Sequence, residues 1–324
     1  MNILVTGCCG FIGYHLTKRL LEDGYTTVGI DNMNDYYNVS MKKRRLAEIK
    51  KYSNFKFYHE DISDFGNLSL VFERNKFDIV INLAAQAGVR YSIEKPLVYV
   101  QSNLVGFSNI LECCRRYNID RLIYASSSSV YGNNDDIPFK ESARTDNPVS
   151  LYAATKKSNE ILAESYSTLY GFQCTGLRFF TVYGPEGRPD MAPFLFTKAI
   201  DKGEPITVFN NGNMLRDFTY IDDIIEGIIK IIEKKLDYKH EIYNIGCSNP
   251  VKLMDFINEI EKCLGKKANI IFKEMQKGDV VKTYADTTKL EKDYSYKPKV
   301  YTKEGVKLFI DWFKNNKKYY ENCR

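Results

Sequence analysis

Gly7, Gly10 and Gly13 constrain this chain more than any other feature, because they stand between a short apolar run, Asn2 to Thr6, and an amphipathic run, Phe11 to Asp23. A strand that turns into a helix through G-x-x-G-x-x-G suits a tight turn, close approach of backbone to a pyrophosphate at the helix N-terminus, and close helix–strand packing. Glycines in such a turn can also be purely structural. Their context adds weight: Asp31 ends the second apolar run, Thr26 to Asp31, 18 residues beyond Gly13. A carboxylate there accepts hydrogen bonds from both ribose hydroxyls and repels a 2′-phosphate, so the expected cofactor is NAD and not NADP. Capping of the Asn32 to Asp35 turn is the competing use of Asp31. Asp61, read as ending the third strand, can meet an adenine amino group or cap a turn or helix. Phe11, Ile12, Asn32 and Ile62 flank these positions and complete the cofactor-side set.

Strand-length and helix-period segments alternate through the first half of the chain. Further strands are expected at Lys56 to Glu60, Ile79 to Leu83, Arg121 to Ser126 and Gly176 to Phe180. Helices are expected at Met41 to Lys51, from about Pro96 to Tyr117 and at Leu151 to Tyr170. Such alternation means parallel strands with crossover helices. Pro185, Gly187, Pro189 and Pro193 then fall within nine residues and read as a loop over a ligand. A helix at Ile221 to Glu233 and a strand at Glu241 to Ile245 resume the pattern, and a helix is expected near Lys303 to Lys317. The expected fold class is α/β, a Rossmann-like doubly wound parallel sheet with a smaller mixed lobe. Residues 1–180 and about 217–249 are assigned to the sheet domain, and about 181–216 and 250–324 to the lobe.

With 324 residues, 44% of them apolar, the chain can bury a large core. A net charge of +5, spread along the sequence, is too small to argue for nucleic acid. No apolar run approaches the roughly 20 residues that span a bilayer, and the N-terminal run is broken by Thr6, Gly7 and Gly10, so a cytoplasmic protein is expected. The eight cysteines, two adjacent pairs among them, show no C-x-x-C spacing and read as reduced thiols. His15, His59 and His240 make no metal-ligand pattern, so no metal is expected.

The chemistry centres on Ser150 to Lys156, SLYAATK. Ser150 is a candidate N-cap, and a spacing of four puts Tyr152 and Lys156 on one helix face. An ammonium beside a phenol favours phenolate, and a phenolate is a base for a hydroxyl proton. An exposed tyrosine stacked on a lysine stem has the same spacing. The run Ser126 to Ser129, about 25 residues upstream, ends a central strand at the sheet edge where ligands bind.

Glycine loop, serine run and Y-x-x-x-K together resemble the extended short-chain dehydrogenase/reductase superfamily over nearly the whole chain. Within it, DNMNDYY (31–37), LAAQAGVRYS (83–92), residues 150–157, RFFTVYGPEGRPDMA (178–192) and NNGNMLRDFTYIDD (210–223) resemble the UDP-glucuronate 4-epimerase family. The resemblance implies a tightly held NAD, oxidation of a UDP-sugar at C4, a 4-keto intermediate that turns over in the pocket, and a homodimer through the two long helices. It implies Tyr152 as base, Lys156 as its partner, Ser127 and Ser128 beside the reacting hydroxyl, and Leu83, Ala84 and Ala85 along the cofactor. Arg216 is expected at the diphosphate, Asp279 near the uridine ribose, and Arg90 at the diphosphate or holding its own loop. Thr181, Arg188 and Ser129 are expected at a sugar carboxylate, with loop ordering the alternative for Arg188. Cys8-Cys9 stands where small residues such as alanine are commoner, and Asn82 where histidine is. Rival readings on the same scaffold are a 4-epimerase of neutral or N-acetylated UDP-hexoses, a UDP-glucuronate decarboxylase, and a non-catalytic NAD-binding protein. A 4,6-dehydratase is disfavoured by Ser128 and Ser129 standing in place of an acidic pair.

Overall fold

The structure, a computed structural model, describes residues 1–276 and 278–320. Seven strands, β1 Asn2–Thr6, β2 Thr26–Ile30, β3 Phe55–Tyr58, β4 Ile79–Asn82, β5 Arg121–Ser127, β6 Gln173–Phe179 and β7 His240–Ile245, form one parallel sheet. Their order is 7-6-5-4-1-2-3. Because side chains alternate along a strand, the central strands feed two cores at once. Ile3, Val5 and Ile81 join one apolar cluster, with Leu16 and Ile224 from the helices α1 Phe11–Glu22 and α6 Ile221–Glu233. Leu4, Val80 and Leu122 join the other, with Val71, Ile110 and Ala163 from α3 Phe65–Arg74, α4 Gly106–Arg116 and α5 Leu151–Tyr170. The remaining helix of this series, α2 Val39–Ile49, packs beside α1. Between β1 and β4 the strand order reverses, which opens a crevice at the C-terminal strand ends.

Four expectations are corrected in detail. Helix α3 was not expected; Asp64 caps it by accepting from the Asn67 amide, and Leu68, Val71 and Phe72 form its buried stripe. Strand β6 begins at Gln173, because Gly176 is an interior residue and not a boundary: a Cβ there would stand 2.6 Å from the Tyr124 hydroxyl. Pro193 lies in the first turn of a helix, Ala192–Lys202, where its missing N–H costs nothing, so the loop proper ends at Met191. The long helix before β5 is composite, Pro96–Tyr99, a π-helical Val100–Val105 and then α4. Its wide turn carries buried Asn103, which accepts from the Gln86 amide at 2.8 Å and donates to Gln86 O and Thr155 Oγ1 at 3.0 Å. Thus the π-helical turn ties α5 to the loop after β4.

Smaller pairings lie beyond the sheet. Thr181–Tyr183 runs parallel to Phe218–Tyr220, Pro205–Phe209 parallel to Asn269–Lys273, and Leu215–Arg216 antiparallel to Val251–Lys252. The C-terminal helix spans Thr302–Asn316. Cys8, Cys9, Cys113, Cys114, Cys174, Cys247 and Cys263 are free thiols, and Cys323 lies outside the described residues. Among the described residues no helix is long and apolar enough to cross a membrane.

Candidate active site

One cleft of about 1000 Å³ runs across the C-terminal strand ends, and every sequence-predicted site residue lines it. At its floor the chain leaves β1 through Gly7, which has φ +71°, and enters α1. A Cβ on Gly7 would stand 2.8 Å from the Ala84 amide, and one on Gly13 only 2.0 Å from the Gly7 carbonyl. Neither position tolerates a side chain, so bare backbone faces the cleft at the N-terminus of α1. This cradle fits the pyrophosphate of a dinucleotide. Phe11 and Ile12 line it from α1, and Leu83, Ala84 and Ala85 from the loop after β4.

Asp31 is 6% exposed, one residue past β2. Its Oδ2 accepts from the Cys9 amide at 3.0 Å and its Oδ1 from the Met33 amide at 2.8 Å. The turn-capping use is therefore present together with the position on the cleft. Asp61 lies three residues past β3 instead of at its end. Burial raises its carboxyl pKa, but hydrogen bonds from Asn32 and Ser63 outweigh this and hold it below the ordinary value. Asn32 donates to it at 2.8 Å, and Ile62 follows it in the cleft wall.

Helix α5 is capped by Ser150, whose hydroxyl accepts from the Ala153 amide at 3.1 Å, so Tyr152 and Lys156 sit one turn apart in its first two turns. Lys156 Nζ donates to the Ala125 carbonyl at 2.8 Å, and burial lowers its pKa to about 8. Tyr152 is raised above its ordinary value by burial, with a hydrogen bond to Ser127 and the charge of Arg188 opposing. The groups that oppose burial at the phenol come from β5 and from the proline-rich loop. Ser127 Oγ caps the turn Ser128–Tyr131 by accepting from the Ser129 amide, and it donates to Ser129 Oγ at 3.1 Å.

The loop 184–191 forms another wall and is fastened from below. His15 meets the Pro185 carbonyl at 2.9 Å, and burial lowers its pKa to about 4, so it is a neutral structural ring. Arg45 donates to Glu186 O at 2.7 Å and to Cys9 O at 2.9 Å, and both Arg44 and Arg45 pair with the Glu186 carboxylate. Arg188 stands in the cleft with Thr181, but it is engaged by Asp190, Nε to Oδ1 at 3.0 Å. Arg216 donates to the Val280 and Val281 carbonyls at 2.6 and 2.9 Å, and burial lowers its pKa, with Asp279 opposing. Among the described residues no carboxylate forms an ion pair with it. Arg90 pairs with Asp279 at 3.1 Å and lies over the Phe209 ring at 4.8 Å.

Sequence reasoning missed several residues of this site. Asp190 and Tyr36 lie within stretches already singled out but were given no role, although a carboxylate two residues from an arginine was a visible signal. Glu160 follows Lys156 by one helical turn, accepts from Ser126 Oγ at 2.6 Å, and holds Arg178 through two 2.9 Å bonds. Only the fold brings these together.

The profile of the NAD dependent epimerase/dehydratase family matches residues 3–246. Protein CapI of Staphylococcus aureus is 51% identical over 97% of this chain and 98% of its own. The UDP-glucuronate 4-epimerase of Thermodesulfobacterium geofontis is 45% identical over 97% of this chain and 96% of its own. The crystal structure of UDP-glucuronic acid 4-epimerase from Bacillus cereus, in complex with UDP-glucuronic acid and NAD, is similar with a TM-score of 0.92 at 36% identity, covering 97% and 99% of the two chains. With the glycine cradle, the tyrosine–lysine helix and the serine strand end in one cleft, the chain belongs to the NAD dependent epimerase/dehydratase family and is an NAD-using isomerase.

Proposed function

We propose that this enzyme is a 4-epimerase of UDP-sugars that interconverts UDP-glucuronate and UDP-galacturonate through a 4-keto intermediate. The observation that carries the substrate reading is the set of three arginines, Arg90, Arg188 and Arg216, in the part of the cleft that the glycine loop does not occupy. A diphosphate and a sugar carboxylate together call for that many cations, and a neutral sugar would leave the Arg188 N–H groups outside its pair with Asp190 without an anionic acceptor. Relatives named UDP-glucuronate 4-epimerase support it.

Tyr152 acts as the base for the C4 hydroxyl proton, with Ser127 and Ser128 sharing hydrogen bonds to that hydroxyl. The buried Lys156 ammonium holds the tyrosine environment and the nicotinamide ribose. NAD, when bound, would supply the hydride acceptor for C4 and the hydride that C4 takes back on its opposite face, so no net redox change would result. Glycines 7, 10 and 13 with Phe11 and Ile12 cradle the pyrophosphate, Asp31 and Asn32 meet the adenosine ribose, and Asp61 and Ile62 the adenine. Leu83, Ala84 and Ala85 complete that side. Arg216 and Arg90 hold the diphosphate of UDP, Asp279 lies by the uridine ribose, and Thr181, Arg188 and Ser129 hold the carboxylate. Because the 4-keto acid is a β-keto acid that readily loses carbon dioxide, a carboxylate held by several donors favours epimerisation over decarboxylation.

A homodimer belongs to the same proposal: Ile161 and Leu169 on α5 and Leu97 on the helix before it stand exposed at 60, 68 and 79%. Light scattering behind a sizing column checks it. The functional reading is tested by incubating the enzyme with UDP-glucuronate and separating the products. Equilibration with UDP-galacturonate is expected, while UDP-pentose as main product, or faster turnover of UDP-glucose, would overturn it.

A further inference from the structure

The sugar end of the cleft contains an arrangement that catalysis by Tyr152 does not require. Arg188 and Asp190 flank Pro189 on the loop 184–191, and Asp190 Oδ2 accepts a hydrogen bond from the Tyr36 hydroxyl at 2.9 Å, across 154 residues of sequence. The Arg188 guanidinium lies 5.7 Å from the centre of the Tyr36 ring, and that ring packs on Tyr91 at 4.8 Å. Arg188 and Asp190 remain 19 and 32% exposed, so both can be reached from the cleft. Burial raises the Asp190 pKa, but the charge of Arg188 and hydrogen bonds from Arg188 and Tyr36 bring it below the ordinary carboxylate value.

Two observations separate this cluster from a staple of the loop. First, the loop is already pinned at its base by His15 on Pro185 and by Arg44 and Arg45 on Glu186. Second, Asp190 bonds the Nε and Nη2 edge of Arg188, which leaves the Nη1 side of the guanidinium outside the ion pair. An arginine at a cleft wall otherwise samples many rotamers, and ordering it at the moment of binding costs affinity. A fork held along one edge presents the other edge in a fixed direction.

We propose that Asp190 and Tyr36 are positioning residues for acidic-sugar recognition: Tyr36 steadies Asp190, and Asp190 aims the free side of Arg188 at the sugar carboxylate. This rests on the substrate reading above. It links the loop that follows the ribose-binding strand β2 to selectivity at the sugar.

The test measures kcat and KM of the NAD-loaded enzyme for UDP-glucuronate and UDP-glucose, with the affinity for UDP alone as control, in the wild type, Asp190→Asn and Tyr36→Phe. An asparagine amide turned toward Arg188 opposes donor to donor and releases the fork. Asp190→Asn is expected to raise KM for UDP-glucuronate about tenfold or more, on the scale by which a misplaced group weakens a site. KM for UDP-glucose and the affinity for UDP should change less than about twofold, and Tyr36→Phe should act in the same direction by a smaller factor. Equal losses for both sugars would reduce the cluster to loop shaping and overturn the proposal. A lower KM for UDP-glucuronate in Asp190→Asn would also overturn it, since Asp190 would then compete with the substrate. A wild type without preference for UDP-glucuronate would instead overturn the substrate reading, and the proposal with it.

Discussion

Glu160→Gln probes the buried ion pair beneath the active site. The two side chains, Glu160 on α5 and Arg178 on β6, are each 2% exposed. Glu160 Oε1 accepts from Ser126 Oγ and Arg178 Nε, and Oε2 from Arg178 Nη2. A glutamine keeps the shape but has one acceptor, so its amide must face an arginine N–H, and the guanidinium is left charged and uncompensated. Breaking such a pair costs about 3–5 kcal/mol, against a total stability of about 5–15. For 324 residues, at about 2.1 cal/mol/K per residue, that corresponds to a fall in Tm of about 4–7 °C. Thermal unfolding at fixed, saturating NAD measures it, because a bound cofactor shifts Tm by mass action. Burial raises the Glu160 pKa, but Arg178 outweighs it and the folded value lies below the ordinary 4.5. The stabilisation is therefore present above that pH and is lost as the pH falls through the folded value, where wild type and variant should converge. Glu160→Leu combined with Arg178→Met should recover more than half of the loss, since no buried charge remains. Since Ser126 precedes Ser127, kcat should also drop, by about tenfold if Ser127 moves with it. A Tm loss under about 1 °C, as for an exposed pair, would refute the reasoning.

Tyr152→Phe should keep the fold and NAD content but lower kcat by about 10²-fold or more; product formation at near wild-type rate would assign the base elsewhere. Asp31→Ser should narrow the preference for NAD over NADP, measured by calorimetry on stripped protein, because it removes the carboxylate that repels the 2′-phosphate; an unchanged ratio would take Asp31 off the ribose. In NAD-free protein Lys156→Met should raise the urea midpoint at pH 7. The folded lysine titrates at about 8 against an ordinary 10.5, so the unfolded chain binds more protons between those values and wild-type stability rises there. The advantage of the variant should shrink from pH 8 to 10.5, and one that stays constant would show that desolvation of Lys156 is not its source.

What the sequence revealed and what it concealed divide along the range of the interactions. Strands β1, β2 and β4 and helices α1 and α5 are announced by their own apolar period and by local caps such as Ser150, and the rule that ligands bind at C-terminal strand ends carries Gly7, Asp31 and Ser127 into one cleft. Helix α3 was hidden because its ten residues offer a short stripe of three buried side chains between polar flanks. Gly176 looked like punctuation, whereas it makes room for Tyr124 on the neighbouring strand. Arg45 with Glu186, Arg90 with Asp279 and Tyr36 with Asp190 are separated by 141, 189 and 154 residues. No periodicity or spacing encodes such pairs, and they exist only once the sheet has brought its loops to one edge.

The tyrosine–lysine pair shows how far a motif reaches. Spacing places Tyr152 and Lys156 on one helix face, and the helix forms as expected. The electrostatics of the phenol are nevertheless decided elsewhere. Burial raises it, and the groups that pull it back are Ser127 at the end of β5 and Arg188 on the loop 184–191. Lys156 is turned to the Ala125 carbonyl and is itself depressed by burial. A base assembled from three elements responds to any one of them, so a substrate that engages Arg188 also changes the field at Tyr152. On the proposed reading, recognition of the sugar carboxylate and activation of the base share one arginine. Neutralising Arg188 should therefore lower kcat as well as raise KM for the acidic sugar, a combination that an arginine confined to loop ordering would not produce for that sugar alone.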